Sequence, residues 1–468
     1  QSRQGAFTKM SRQKEKQKLA LQGGLKAVTQ VEGRGRPKIG VEEFMSIAHR
    51  FGLSSQARKK IKAVLRGEEM DEGPFLANYY SGLKESKTQS FERLAREIFK
   101  VRYSIGVSSG TGALHAAFVA VGVGPGTEVI CPAIGFFATA AAVVQSKGIP
   151  VFCDVDESLA MDPAKIETLI TERTVALAPT HVMGSVCNMR AIMKVAHEHN
   201  LMVVEDCAQS CGGRYEGRYV GTFGDFGCFS ISAYKTVGGG EGGLVLTNKK
   251  RLWERANQVI ECGGLWRPNR FAPPRYKGEL FCGTNYRMSE LEAAVDVIQL
   301  RKMATAAKRF RQVKRRIVER LKTYREIIPQ KLNDPDGEVG YFLRFYPQTV
   351  ELGRKIARAL SAEGIECVTR GKKAPPDWHL YSYMYPVTLK SGATQDNCPF
   401  DCPLYRRRGG KVNYARGDCP VADDLFDRMI TVPLNQWLSA RDCRNIAEGI
   451  NKVLAAYCSQ DACAAWWL

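Results

Sequence analysis

Between Tyr103 and Leu246 short, almost wholly apolar runs alternate with helix-like segments, and no other feature restricts the possible folds as much. The strand candidates are Tyr103–Ser108, Glu128–Cys131, Pro150–Asp154, Thr174–Pro179, Met202–Asp206, Phe226–Ile231 and Leu244–Leu246. Helical segments at Gly112–Val121, Phe137–Ser146, Pro163–Ile170 and Met189–Glu198 fit between several of them. Strands that are apolar at successive positions are buried on both faces, so the sheet is expected to be largely parallel and covered by helices on each side. Ligands of such α/β sheets collect beyond the carboxyl ends of the strands, and Ser109, Asp206 and Lys235 all fall at or just past such ends.

A chain of 468 residues suits a large domain plus a smaller one. Residues 1–40 read as a basic, poorly ordered tail, 41–325 as the large α/β domain with N-terminal helices, and 326–468 as a small α+β domain. An amphipathic helical pattern runs from Val41 to about Gly67, and another spans Phe91 to Phe99. A long helix is expected over Ser289–Ile328, leading out of the large domain. The small domain should hold strands Tyr341–Tyr346 and Glu366–Thr369, a helix Val350–Glu363 and a last helix Ala440–Tyr457.

The formal charge is +20, of which residues 1–40 supply +8: ten Lys/Arg against Glu15 and Glu32. The basic runs lack interleaved aromatics or a recognisable binding motif, so a solvated surface is expected rather than a nucleic-acid interface. Such a surface also attracts anionic substrates. No run approaches the roughly 18–20 apolar residues of a membrane helix. Fifteen scattered cysteines fit reduced cytosolic thiols, hence a cytoplasmic protein, better than a disulfide framework. Cys398, Cys402 and Cys419 are not spaced as a zinc site, and no metal is expected. The chain begins with Gln1, so its true start is read as missing or processed, and the basic tail as a disordered extension rather than a transit-peptide remnant.

The chemistry centres on Lys235. A strand-like run from Cys228 delivers it to a loop containing Gly238, Gly239, Gly240, Glu241, Gly242 and Gly243, and a second strand pattern ends on Asp206. A lysine amine and a carboxylate at the ends of two core strands suit pyridoxal 5'-phosphate: the amine would hold the aldehyde as a Schiff base, and the carboxylate would keep the pyridine nitrogen protonated. Ser108-Ser109-Gly110-Thr111-Gly112 follows a strand and opens a helix, which makes a phosphate cradle of backbone N–H groups and hydroxyls. Taken alone that motif is weak, because Ser and Thr are also ordinary N-caps. Ser230, five residues before Lys235, could add a hydroxyl to the same phosphate.

Together these stretches resemble the DegT/DnrJ/EryC1/StrS family of sugar aminotransferases, a branch of the fold-type-I pyridoxal phosphate enzymes. The segments that carry the resemblance are Ser109–Leu114, Cys131–Thr139, Glu205–Ser210, Gly221–Asp225, Ser230–Gly243 and Gly283–Met288, in family order. The resemblance implies that Lys235 is the catalytic lysine, that Asp206 pairs with the pyridine nitrogen, and that Gln209 reaches the ring hydroxyl. It also implies that Phe136 stacks on the ring and that Thr111, Gly112 and Ser230 bind the phosphate. Asn285 corresponds to a residue that reaches the phosphate of the neighbouring subunit, which implies a homodimer. The implied reaction moves an amino group from glutamate or glutamine, by way of pyridoxamine phosphate, to a keto sugar, most often nucleotide-linked. A cyclitol ketone is the alternative acceptor, and a non-catalytic sensor or scaffold the alternative role. The chain departs from the family where Ser-Phe-His becomes Ser230-Ile231-Ser232 and where Thr gives way to Gly135. Dehydratase relatives carry histidine in place of the lysine, so the presence of Lys235 favours transamination. His181 reads as core or wall, His379 as a possible substrate contact, Glu241 as a brace of its loop, and Arg406–Arg408 as exposed loop arginines.

Overall fold

In the computed structural model, residues 18–29, 39–66, 76, 86–371 and 374–467 are described. Most of the basic segment 1–40, expected to be disordered, lies outside them. The chain separates into two compact units, 1–82 and 83–468. In the first, the expected continuous helix after Val41 is two helices, Val41–Arg50 and Ser55–Val64. The break has a local cause: Gly52 sits at φ 75°, and the Ser54 hydroxyl accepts the Ala57 N–H as an N-cap.

The second unit is built on a seven-stranded sheet. Its strands are β1 (Tyr103–Val107), β2 (Glu128–Pro132), β3 (Ile149–Cys153), β4 (Thr174–Leu177), β5 (Met202–Asp206), β8 (Phe226–Ser230) and β9 (Gly243–Thr247), in the order β1-β9-β8-β5-β4-β2-β3. A small hairpin, β6 (Arg214–Tyr215) and β7 (Arg218–Tyr219), lies between β5 and β8 in sequence. From β8 to β3 the strands are parallel, and β9 runs antiparallel between β1 and β8. The expected α/β class is therefore present. Successive strand residues enter opposite cores: Val203 and Leu244 join one cluster with Phe91, Ile192 and Leu300, whereas Val204 and Val245 join the other with Leu114, Phe118 and Val259. Both faces are dry, which is why the strands show no polar alternation. A helix at Lys250–Ile260, absent from the sequence expectation, helps to cover the second face.

The long helix spans Glu290–Val318 and stops ten residues before the expected end, because Ile327–Pro329 is strand β10. It opens a second, antiparallel sheet with β11 (Phe342–Pro347), β12 (Val368–Thr369) and β13 (Ile430–Pro433), in the order β10-β11-β13-β12. Helices Val350–Ala362 and Ala440–Tyr457 cover it. The apolar terminal segment has a place in that core. Trp467 is buried against Phe345 and donates its indole N–H to the Lys322 carbonyl at 2.9 Å. Among the described residues no helix is long and apolar enough to cross a membrane.

Candidate active site

Strand β5 ends on Asp206, whose carboxylate is buried. Its Oδ2 accepts the Thr139 hydroxyl at 2.6 Å and its Oδ1 the Ala208 N–H at 3.0 Å. A carboxylate can accept about four hydrogen bonds, so two directions stay open. Beside it, Thr180 pairs with Asp206 in an isolated bridge, and its hydroxyl is buried with no partner among the described residues.

Lys235 leaves β8 through a tight hairpin in which Ala233 N–H donates to Gly240 O at 2.8 Å and Lys235 N–H to Ser232 O at 2.9 Å. Burial pulls the Lys235 amine below its ordinary pKa, and the negative field of Asp206 offsets part of that shift. The amine lines a cavity of about 450 Å³ that also takes in Met183, Gln209, Tyr341, Arg370, His379 and Thr431. Gln209 is buried rather than exposed at a helix start: its Oε1 accepts Met183 N–H at 2.8 Å and its Nε2 faces His379 Nε2 at 3.1 Å.

That contact fixes the imidazole. His379 Nδ1–H donates to Asp377 Oδ1 at 2.6 Å, so Nε2 is the bare nitrogen that accepts from Gln209. Burial first, and then the charges of Arg370, Lys235 and Arg344, push the His379 pKa down to about 3. The ring is neutral across the working range, and replacing it with Asn should leave the shape of any pH–rate profile unchanged between pH 5 and 8. A lost acid limb in that profile would refute the neutral assignment. Phe136 is half-exposed with its ring 5.3 Å from that of His379. Met183 holds a left-handed backbone (φ 48°, ψ 41°), a conformation that costs about 1–3 kcal/mol for a residue with a side chain. Gln209 takes its N–H, and Arg344 reaches its carbonyl at 2.9 Å.

The helix Gly110–Val121 begins against the end of β8: a Cβ on Gly110 would lie 2.7 Å from the Ser230 Cβ. Ser109 Oγ caps this helix by accepting Gly112 N–H at 3.0 Å, leaving the amides of Gly110 and Thr111 at its positive end. Thr111, Gly112 and Ser230 thus share one neighbourhood. Asn285 is exposed, its Oδ1 accepting Arg287 N–H at 3.2 Å, next to Tyr286, whose ring packs on Gly112. Arg406 is paired with Asp401 and Arg408 with the carbonyls of Gly126 and Glu172, so neither reaches the cavity.

The donor set suits pyridoxal phosphate. A buried carboxylate with spare acceptor capacity, an orphaned hydroxyl on Thr180, a desolvated lysine and a helix N-terminus beside a serine match the ring nitrogen, aldehyde and phosphate. A second polar cluster, His181, Glu205 and Cys207, brings donor atoms within 4.8 Å of one another. Glu205 is committed there to structure: it accepts N–H groups from Gly221, Phe223 and Gly224 at 2.7 Å each and His181 Nε2–H at 3.1 Å. Met183, Tyr341, Arg370 and Thr431 escaped the sequence reading, since they meet Lys235 only through the fold. No local pattern marks Met183, whereas His379 stands out as one of six histidines.

Comparison with known proteins gives concordant results. The profile of the DegT/DnrJ/EryC1/StrS aminotransferase family matches residues 61–371. The chain is 32% identical over 358 residues to the UDP-N-acetyl-3-dehydro-alpha-D-glucosamine 3-aminotransferase of Acidithiobacillus ferrooxidans, covering 76% of this chain and 85% of that one. It is 31% identical over 389 residues to the L-glutamine:2-deoxy-scyllo-inosose aminotransferase of Streptomyces lividus, covering 79% and 86%. An aminotransferase from Psychrobacter cryohalolentis superposes with a TM-score of 0.64 at 27% identity, covering 79% of this chain and 92% of that one.

Proposed function

The chain belongs to the DegT/DnrJ/EryC1/StrS family of pyridoxal phosphate-dependent sugar aminotransferases, and from that premise we propose that it moves an amino group from glutamate or glutamine to a nucleotide-linked keto sugar. The observation that carries the site assignment is the meeting of Lys235 and Gln209 on one cavity, with Asp206 buried behind and acting on the lysine through its charge. When bound, pyridoxal phosphate supplies an electron sink that acidifies the donor Cα–H. Asp206 keeps the ring nitrogen protonated, Thr139 and Ala208 hold the carboxylate in place, and Gln209 orients the ring hydroxyl. Thr111, Gly112 and Ser230 bind the phosphate, and Phe136 covers the ring face. Lys235, whose amine burial has made easier to deprotonate, would take the proton from the donor Cα and return it to the cofactor carbon on the other side of the amino nitrogen. Asn285 completes the phosphate site of a neighbouring copy in a homodimer.

Support for the acceptor comes from the relative that acts on a UDP-linked 3-dehydro sugar. The relative that uses L-glutamine and a deoxy-inosose keeps a cyclitol ketone as the second candidate. A panel of nucleotide-linked keto sugars and inososes, each assayed with glutamate and with glutamine, separates the two. Turnover of inososes alone would overturn the nucleotide-sugar assignment. Asp206→Asn should lower turnover about 10²- to 10³-fold, because it removes the fixed charge that would pair with the ring nitrogen. A loss under tenfold would remove Asp206 from that role.

A further inference from the structure

We propose that Glu292 and Asp296 form a carboxylic acid–carboxylate pair that shares one proton, clamps the glycine-rich segment behind Lys235, and so positions that lysine. The positioning role rests on Lys235 being the reactive amine; the pair itself does not.

The two residues lie one turn apart on one face of the helix Glu290–Val318. Asp296 is fully buried, and among the described residues neither of its carboxyl oxygens has a hydrogen-bond partner outside the pair; Glu292 Oε1 is equally bare there. No Lys, Arg or His forms an ion pair with either group among the described residues. Two ionised carboxylates cannot persist so close together in a dry place, and one proton held between them removes the conflict. Asp296 O–H then donates to the Glu292 carboxylate, which also receives the Glu241 backbone N–H from the glycine-rich segment.

The segment is shaped around this pair. A Cβ on Gly239 would collide with Asp296 Oδ1 and lie 2.9 Å from Glu292 Oε1, and one on Gly240 would lie 2.7 Å from Glu292 Oε2. These glycines are thus needed for close approach to the carboxyl groups. The same residues close the hairpin that carries Lys235 at its tip: Ala233 N–H donates to Gly240 O at 2.8 Å, Ile231 N–H to Gly242 O at 2.9 Å and Gly239 N–H to Ile231 O at 3.3 Å. Whatever seats Gly239 and Gly240 therefore seats the lysine.

The other charged groups nearby are already occupied. Glu290, on the same helix, accepts the Ser86 hydroxyl and the Lys87 N–H at 2.6 Å each. On the neighbouring helix Lys87–Phe99, Glu92 accepts Gly106 N–H and Arg96 donates to Ser104. From the segment itself, Glu241 adds a further negative charge near Glu292. Burial and the charge of Glu292 push the Asp296 pKa up to about 8. The folded state binds this proton more tightly than the unfolded chain does, so stability falls as pH climbs from about 4 to 8 and then levels.

The decisive comparison is the wild type against Asp296→Asn, which keeps the shape and removes the proton. Burial also raises the Glu92 pKa to about 7, in both proteins alike, so the infrared difference spectrum at pH 7, wild type minus variant, should contain the carbonyl stretch of a protonated carboxylic acid. The melting temperature of the wild type should drop between pH 5 and 9 more steeply than that of the variant, which keeps the slope due to Glu92 and His181. Amide exchange at 236–242, corrected for its intrinsic pH dependence, should rise at least tenfold above pH 9 in the wild type only. If Asp296→Asn does not fold, Glu292→Gln carries the same comparisons. Parallel melting curves, or no acid band in the difference spectrum, would overturn the pair. A confirmed pair with pH-independent exchange would overturn its positioning role. None of these readouts uses turnover, so a failure of the aminotransferase reading is told apart from a failure of this one.

Discussion

Replacing Lys235 with alanine is expected to lower amino-group transfer by about 10⁴-fold or more, since in the proposed reaction one side chain carries both the covalent attachment and the proton transfer. The fold should survive. Lys235 is only half-buried at a hairpin tip, and the backbone bonds that close the hairpin do not involve its side chain. Mass spectrometry of borohydride-treated protein supplies a second readout, a pyridoxyl adduct on the peptide containing Lys235 that is absent from the variant. An adduct that persists on another lysine, or a variant that keeps a tenth of the activity, would remove Lys235 from the centre of the chemistry. Circular dichroism of both proteins guards against a loss that is only a loss of structure.

The largest stability effect is expected next door, at Glu205. Its carboxylate is fully buried and is the acceptor for three backbone amides of the turn before β8 and for His181 Nε2–H. Truncation to alanine leaves four donors without an acceptor in a dry interior. Each buried orphan costs about 1–3 kcal/mol, so the sum is roughly 4 kcal/mol or more. Glutamine keeps one acceptor oxygen and should cost less. Denaturant unfolding measures both; a change below 1 kcal/mol for Glu205→Ala would mean that water satisfies the turn. The loss should reach the active site as well, because this turn leads directly into the strand that delivers Lys235.

The fold was legible in the sequence where local patterning and burial agree. Strands buried on both faces leave continuous apolar runs, and Met202–Asp206 lies where that pattern puts it. Legibility failed where the determinant is a single backbone event. Gly52 and Ser54 split one apparent helix, and Ile327–Pro329 reads as the end of a helix but pairs with β11. Within the site, Lys235 and Asp206 announce themselves because strand patterning puts them at or just past strand ends, whereas Gln209 is pointed to only by the family resemblance. Met183, Tyr341, Arg370 and Thr431 do not, since each comes from a different element and acquires meaning only beside the cavity. Asp296 was invisible for another reason. An acidic residue on a long helix looks like solvent-facing charge until its burial is known.

The antiparallel strand β9 sits between β1 and β8, although β1 was made some 140 residues earlier in the chain. A growing polypeptide therefore cannot zip this sheet shut from its N-terminus. The edge strand must wait for the hairpin bearing Lys235, and the Gly110 helix start meets Ser230 only when that late partner arrives. Closing the sheet and bringing the Gly110 helix start against the Lys235 hairpin are one event, so a chain that stops short of Thr247 lacks the strand that β1 and β8 both pair with.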